Sequence, residues 1–210
     1  MLKKSFFRVG LFILFMGNLL AFETPPSVPN LVDSLESPPV IPVIILNEEV
    51  QQEEIIELYV ATFGRAPDKA GLDYWLQEMK NNNWTMEKVA TSFFDQDETK
   101  NQYPDSLSTD EFIDKIYLNI LNRESDSAGK DYWRGELDSG KIPKQKFIIA
   151  IINGAKDKEG DDKRLLENKT TISKYFAITL SKNDPNEAKD ILENITIDSQ
   201  SVEDVKSWLK

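Results

Sequence analysis

The chain of 210 residues contains neither cysteine nor histidine. Thiol nucleophiles, disulfides, thiolate metal sites, imidazole bases and Ser-His triads are therefore excluded. What remains for chemistry is carboxylate pairs, lysine or tyrosine groups, and oxygen-ligand metal sites. A chain without cysteine also suits an oxidising compartment. Positive charge is scarce as well. The 25 basic residues stand against 36 acidic ones, for a net charge of −11. Lys3, Lys4 and Arg8 lie in the first 21 residues, which hold no acid, so the rest of the chain has 22 basic residues against 36 acidic ones, or −14. Such a surface repels nucleic-acid phosphates and anionic lipid, and no local basic patch offsets it. Neither nucleic acid nor a membrane surface is expected as a partner. Apolar and aromatic residues are not scarce, at 40% and 10%, which is enough to build a real core.

Residues 1–21, MLKKSFFRVGLFILFMGNLLA, have the anatomy of a secretory signal peptide. A short basic start precedes about 14 mostly apolar residues, fewer than the roughly 20 a bilayer span requires. Leu19 stands where a small residue is usual before the cleavage site. The expectation is a cleaved signal peptide, with an uncleaved anchor as the alternative, and export to the periplasm or to the extracellular space and cell surface. Residues 22–47 hold Pro25, Pro26, Pro29, Pro38, Pro39 and Pro42, six of the ten prolines. That density predicts an extended linker, whose apolar patch at Val40–Leu46 is expected to dock on the domain itself or, as the alternative, on a partner.

Beyond the linker, helical periodicity runs to the end of the chain. Ile55, Leu58, Tyr59, Thr62 and Phe63 follow the spacing of one buried helical face, and Ile113, Ile116, Tyr117, Ile120 and Leu121 repeat it 58 residues later. Leu72, Trp75, Leu76 and Met79 form a further stripe, as do Ile172, Tyr175, Phe176 and Leu180. The sequence predicts an all-α fold: a three-helix unit at 48–107, a second at 108–164, and a helical extension at 165–210, sharing one core.

The two units match in detail. YVATFGRAPDKAGLDYW (59–75) and YLNILNRESDSAGKDYW (117–133) share eight of 17 positions at a constant offset of 58, which marks an internal duplication. Gly64 and Asn122 follow the first helix of each unit and suit the left-handed conformation that ends a helix. Arg65 and Arg123 come next, near the carbonyl end of that helix. Asp68 and Asp126 stand where the second helix must start, as N-caps. Gly71 and Gly129 lie three residues further on, where a glycine implies close approach of another backbone. Trp75 and Trp133 are expected to anchor the core. Tyr74 and Tyr132 sit on the flank, with hydroxyls reaching a partner at its edge. Thr85 with a Trp84–Val89 staple, the Ser108–Glu111 capping box, Pro143 at an early helical position, Asp184-Pro185 and Ser201 mark later helix starts.

This pattern of Tyr, Gly/Asn-Arg-x-x-Asp-x-x-Gly-x-x-Tyr-Trp resembles the bacterial domain of unknown function 4214, in tandem copies over about Glu54 to Ala155. It is more distantly similar to phycobilisome linker domains. The stretch from Leu166 to Val202 resembles a tail that often follows such repeats. Copy two departs from the pattern at Ser125, where copy one has Pro67. The resemblance implies an all-helical fold and export, and brings no catalytic residues. The chain lacks the glycine- and aspartate-rich repeats that often accompany the family, so the signal segment points to the general export route.

Three functional readings follow. The first is a non-catalytic binding or structural module of the cell envelope, with a protein or glycan as partner. Arg65, Asp68, Tyr74, Trp75, Arg123, Asp126, Tyr132 and Trp133 are its candidate binding residues, although a cap, an ion pair and a core anchor account for the same residues structurally. The second is a calcium-dependent surface or secreted module. It would use Asp157, Glu159, Asp161 and Asp162, or the equivalent cluster Asp95, Asp97, Glu98 and Asp105, although neither stretch has the EF-hand ligand order. The third is a carboxylate-dependent hydrolase, for which no spacing singles out a pair.

Overall fold

The structure is a computed structural model that describes residues 43–209. The signal segment and most of the linker lie outside the described residues. Unit one comprises α1 (Val43–Phe63), α2 (Lys69–Asn82), α3 (Met86–Phe93) and the short α4 (Asp97–Gln102). Unit two comprises α5 (Thr109–Leu121), α6 (Ser127–Asp138) and α7 (Lys144–Asp157). The extension holds α8 (Asp161–Lys174), which continues into a π turn (Tyr175–Thr179), then α9 (Pro185–Glu193) and α10 (Gln200–Trp208). There is no strand among the described residues, and one continuous hydrophobic core draws on both units and the extension. The all-α expectation of repeated units on a shared core holds.

Local chemistry explains the helix ends. Asp68, Thr85, Ser108, Asp126 and Asp184 each accept a backbone N–H at the start of their helix, and Ser108 forms the full capping box with Glu111. Gly64 and Asn122 take the left-handed conformation at φ +65° and +53°. Five features of the helix boundaries differ from the sequence expectation. α1 begins at Val43 rather than near Glu48, because beyond Pro42 no proline removes a backbone donor. α4 appears in the acidic stretch after α3, where Asp97 and Glu98 occupy its first turn and favour the positive end of the helix. α8 begins at Asp161, inside the span assigned to unit two, for the same reason: Asp161 and Asp162 fill its first turn. α10 starts at Gln200, with Ser201 already inside it, and Pro143 is the N-cap of α7 rather than part of it.

α1 is the hub. Every residue from Ile55 to Phe63 is buried, not only the stripe expected from its periodicity, because α2, α3, α5, α7 and α8 all pack around it. Its carbonyl end is satisfied from other elements. The Tyr103 hydroxyl donates to the Thr62 carbonyl at 2.5 Å, and Asn119 Nδ2 donates to the Ala61 carbonyl at 3.0 Å. Asn119 holds the position in α5 that Ala61 holds in α1. In the same way α8 serves α5: Lys169 Nζ donates at 2.6 Å to both the Asn119 carbonyl and Asn122 Oδ1. The buried Glu57 of α1 is held by Lys156 of α7 at 2.9 Å, and burial raises its carboxyl above the usual carboxylate range. No helix among the described residues is long and apolar enough to cross a membrane.

Candidate functional site

The repeated motif folds into a corner between the first and second helices of each unit. In unit one, Asp68 Oδ1 accepts the Gly71 N–H at 3.0 Å, and Trp75 Nε1 donates to the Tyr59 hydroxyl at 3.1 Å. Burial pushes the Tyr59 hydroxyl up to about 12. The Trp75 ring lies 5.0 Å from Phe93 and 6.4 Å from Trp84 and is buried. Arg65 donates through Nε and Nη2 to both oxygens of Glu98 at 2.7 Å, while its guanidinium sits 5.2 Å from the Tyr59 ring centre and 5.4 Å from that of Phe63. Arg65 therefore does more than complement the end of α1. It joins that end to α4 through a bidentate, charge-assisted pair.

Unit two reproduces part of this. Asp126 Oδ1 accepts the Gly129 N–H at 2.8 Å, and Arg123 donates to Asp162 of α8 at 2.7 Å beside the Tyr117 ring. Glu98 and Asp162 both lie in the first turn of the helix after the third helix of their unit. The acidic stretches considered for calcium thus supply the counter-ions of the motif arginines. Of the remaining metal candidates, Asp161 pairs with Arg164 and Glu159 with Lys163, and Asp157 closes α7. No three carboxylates among the described residues come together to hold a metal ion.

The two motif glycines, alike in sequence, differ in what they meet. A methyl at Gly71 would lie 2.5 Å from the Tyr59 hydroxyl and would overlap the Asp68 carboxylate. The close neighbour is a buried side chain, not the second backbone the sequence implied. At Gly129 the nearest atoms are Asp126 Oδ1 at 3.5 Å and the Tyr117 hydroxyl at 3.6 Å, ordinary contacts. Gly71→Ala is therefore expected to destabilise by about 1–3 kcal/mol through overpacking. Gly129→Ala is expected to stabilise by about 0.5–1 kcal/mol through helix propensity. Urea denaturation of the two variants would show shifts of opposite sign, and two shifts of the same sign would contradict this account of the corners.

The corners also differ in what covers them. In unit one, the Ala66 N–H donates to the Ala188 carbonyl and the Lys69 N–H to the Lys182 carbonyl, both at 2.9 Å; Ala70 donates to Asn183 Oδ1 at 3.0 Å. The segment before α9 and the first turn of α9 thus lie across the start of α2. The matching amides of Glu124, Ser127 and Ala128 have no acceptor among the described residues, and these three residues are exposed. Side chains follow suit. Ile56, Pro67, Leu72 and Leu76 of unit one become Asp114, Ser125, Lys130 and Arg134 in unit two. Asp114 accepts from Lys130 at 2.5 Å and from the Ser125 hydroxyl at 2.9 Å. No residue of α6 is buried, and Trp133 is half-buried rather than a core anchor like Trp75. Unit two carries the polar outer face of a terminal repeat.

Tyr74 and Tyr132 are exposed, each with its ring edge-on to the following tryptophan at 4.8 and 4.9 Å. Their hydroxyls have no hydrogen-bond partner among the described residues, contrary to the expected edge contact. Tyr74 borders a shallow cleft of about 380 Å³ with Trp75, Gln96, Asp97 and Glu98. A second cleft of about 410 Å³ opens beside Trp208, where sequence reading placed no site. The signal for it was the tryptophan itself, next to the buried Leu209 in a stretch otherwise rich in polar residues.

The family model for the Domain of unknown function (DUF4214) matches the chain twice in tandem, over residues 46–103 and 90–159, together more than half of its length. No curated protein and no solved structure matches it.

Proposed function

The chain belongs to the DUF4214 family, and from that premise, which brings a scaffold but no named activity, we propose that it is a non-catalytic binding module of the cell envelope. Its partner is a protein or a glycan, met outside the cytoplasm. The observation that carries this reading is the pair of exposed tyrosines, Tyr74 and Tyr132, displayed at equivalent positions of the two units. Around them the charged groups are already engaged: Arg65 with Glu98, Arg123 with Asp162, and Asp68 and Asp126 with backbone N–H groups. Groups so engaged are poor candidates for proton transfer, whereas a rigid ring with an unused hydroxyl suits recognition. Glu57 and Lys169, whose proton affinities burial perturbs, line none of the clefts described above. Export rests on the sequence of the first 21 residues.

The test uses the chain from Phe22 onward, immobilised and exposed to solubilised cell envelope. A discrete component should be retained by the wild type and lost with the double variant Tyr74→Ser/Tyr132→Ser, the variant folded by circular dichroism. Retention indifferent to the double substitution, or turnover of an envelope substrate, would remove this reading.

A further inference from the structure

We propose that the cleft beside Trp208 is a saccharide subsite that stacks a pyranose ring on the indole. The proposal rests on the reading of the chain as a binding module and names a ligand class and a place for it. α10 buries Val202 and Val205, and Leu209 follows them into the core, yet Trp208 between them stays 50% exposed. Tryptophan is the side chain with the most apolar surface to lose from water, so an exposed one bordering a cleft is a ready contact surface. Its Nε1–H has no acceptor among the described residues.

The rest of the cleft is polar in both senses, donor and acceptor. Gln200, Asp204 and Trp208 lie four residues apart on one face of α10 and all border it, with Thr196 and Asp198 opposite. The Gln200 amide donates to Asp204 Oδ1 at 3.0 Å. Its carbonyl oxygen and the second Asp204 oxygen have no partner among the described residues. An apolar platform flanked by amide, carboxylate and hydroxyl groups matches a pyranose, which has an apolar C–H face and a rim of hydroxyls that both donate and accept. The cleft, at about 410 Å³, has the size of a small-ligand site.

The site is also held in place before any ligand arrives. Ile195, at the base of the loop into α10, is fully buried, and its carbonyl accepts from Asn122 Nδ2 at 3.1 Å. Asn168 Nδ2 donates to the Thr196 carbonyl at 2.8 Å. Within the loop, the Asp198 N–H donates to Thr196 Oγ1 at 3.1 Å and the Gln200 N–H to Asp198 Oδ1 at 2.9 Å. α5 and α8 therefore fix the loop, so little ordering is left for binding to supply.

The experiment is an NMR titration of the isotope-labelled chain from Phe22 onward. The probes are cellobiose, maltose, chitobiose and the N-acetylglucosamine–N-acetylmuramic acid disaccharide, each taken to millimolar concentration. At least one probe should shift the Trp208 indole N–H together with the Gln200 and Asp204 amides. Trp208→Ala should weaken that probe by about tenfold or more, and Trp208→Tyr by only about threefold. Gln200→Ala, at an exposed position that leaves the core intact, provides a second reading and should weaken it several-fold. If no probe moves these resonances, or if Trp208→Ala binds as tightly as the wild type, the subsite is wrong. Should the envelope component still be retained in a Tyr74- and Tyr132-dependent way, the binding-module reading survives that failure. Loss of both results removes both.

Discussion

Trp75→Ala is expected to cost about 3–5 kcal/mol, and Trp133→Ala about 1–2 kcal/mol, although the two tryptophans occupy the same place in a duplicated sequence. Trp75 is buried among Tyr59, Trp84 and Phe93 and holds the Tyr59 hydroxyl by its indole N–H. Its removal would leave a cavity and a buried hydroxyl without its donor. Trp133 is half-buried, packs chiefly on Phe147 at 5.1 Å, and sits on a helix with no buried residue. A total stability of about 5–15 kcal/mol is usual for a domain, so Trp75→Ala alone can unfold the chain. Trp75→Phe keeps most of the ring and isolates the lost hydrogen bond, at about 1–2 kcal/mol. Urea denaturation followed by far-ultraviolet circular dichroism measures all three. Equal losses at Trp75 and Trp133 would mean that the two corners are energetically alike and that their different cover is irrelevant.

That asymmetry was written in the sequence, in the residues that differ between the units rather than in those that match. Eight shared positions identify the duplication. The replacement of Ile56, Pro67, Leu72 and Leu76 by Asp114, Ser125, Lys130 and Arg134 identifies which copy faces water. Helix ends were legible because caps are local. Gly64, Asp68, Ser108, Asn122, Asp126 and Asp184 each act within a few residues of their own position. The ion pairs were not legible, because Arg65 and Glu98 are 33 residues apart whereas Arg123 and Asp162 are 39 apart. The second pair therefore does not appear at the repeat offset, and the acids read as solvated clusters. Gly71 shows the same limit from another side. Its neighbour is Tyr59, and that of Gly129 is the equivalent Tyr117, but the two tyrosine hydroxyls approach their glycines to different distances, which no alignment of the units encodes.

The contrast between the units also says how the array ends. In unit one the segment from Lys182 to Ala188 supplies the acceptors that α2 lacks at its start. The extension therefore returns to the first unit instead of adding a third corner beyond the second. Unit two is left with a polarised outer face, where Asp114, Ser125 and Lys130 satisfy one another. A further repeat stacked on that face would have to bury these groups, at a cost that apolar neighbours would not offset. Closure of the core and exposure of the second corner thus arise from the same few substitutions.

Lys169 offers the second large effect, and it is one that pH reveals. The side chain is 2% exposed, forms no ion pair among the described residues, and spends its ammonium on the Asn119 carbonyl and Asn122 Oδ1 at the negative end of α5. Burial pushes its proton affinity down to about 8, against 10.5 for an exposed lysine. Between those values the unfolded chain binds the proton more tightly than the folded one, so the stability this group contributes rises with pH and is lost as pH falls through about 8. Each tenfold difference in proton affinity is worth about 1.4 kcal/mol. The wild type should therefore gain about 2 kcal/mol relative to Lys169→Met between pH 7 and pH 10, since the variant keeps the apolar stem but has no proton to release. Taking the difference between two otherwise identical chains removes the contribution of every other titrating group. Lys169→Ala, which also empties the space of the stem, should lose about 3–5 kcal/mol at pH 7. Urea midpoints measured at each pH unit from 7 to 10 decide the matter. Parallel curves for the wild type and Lys169→Met would show that the ammonium end reaches water, and that α8 does not seal the end of α5 as these contacts require.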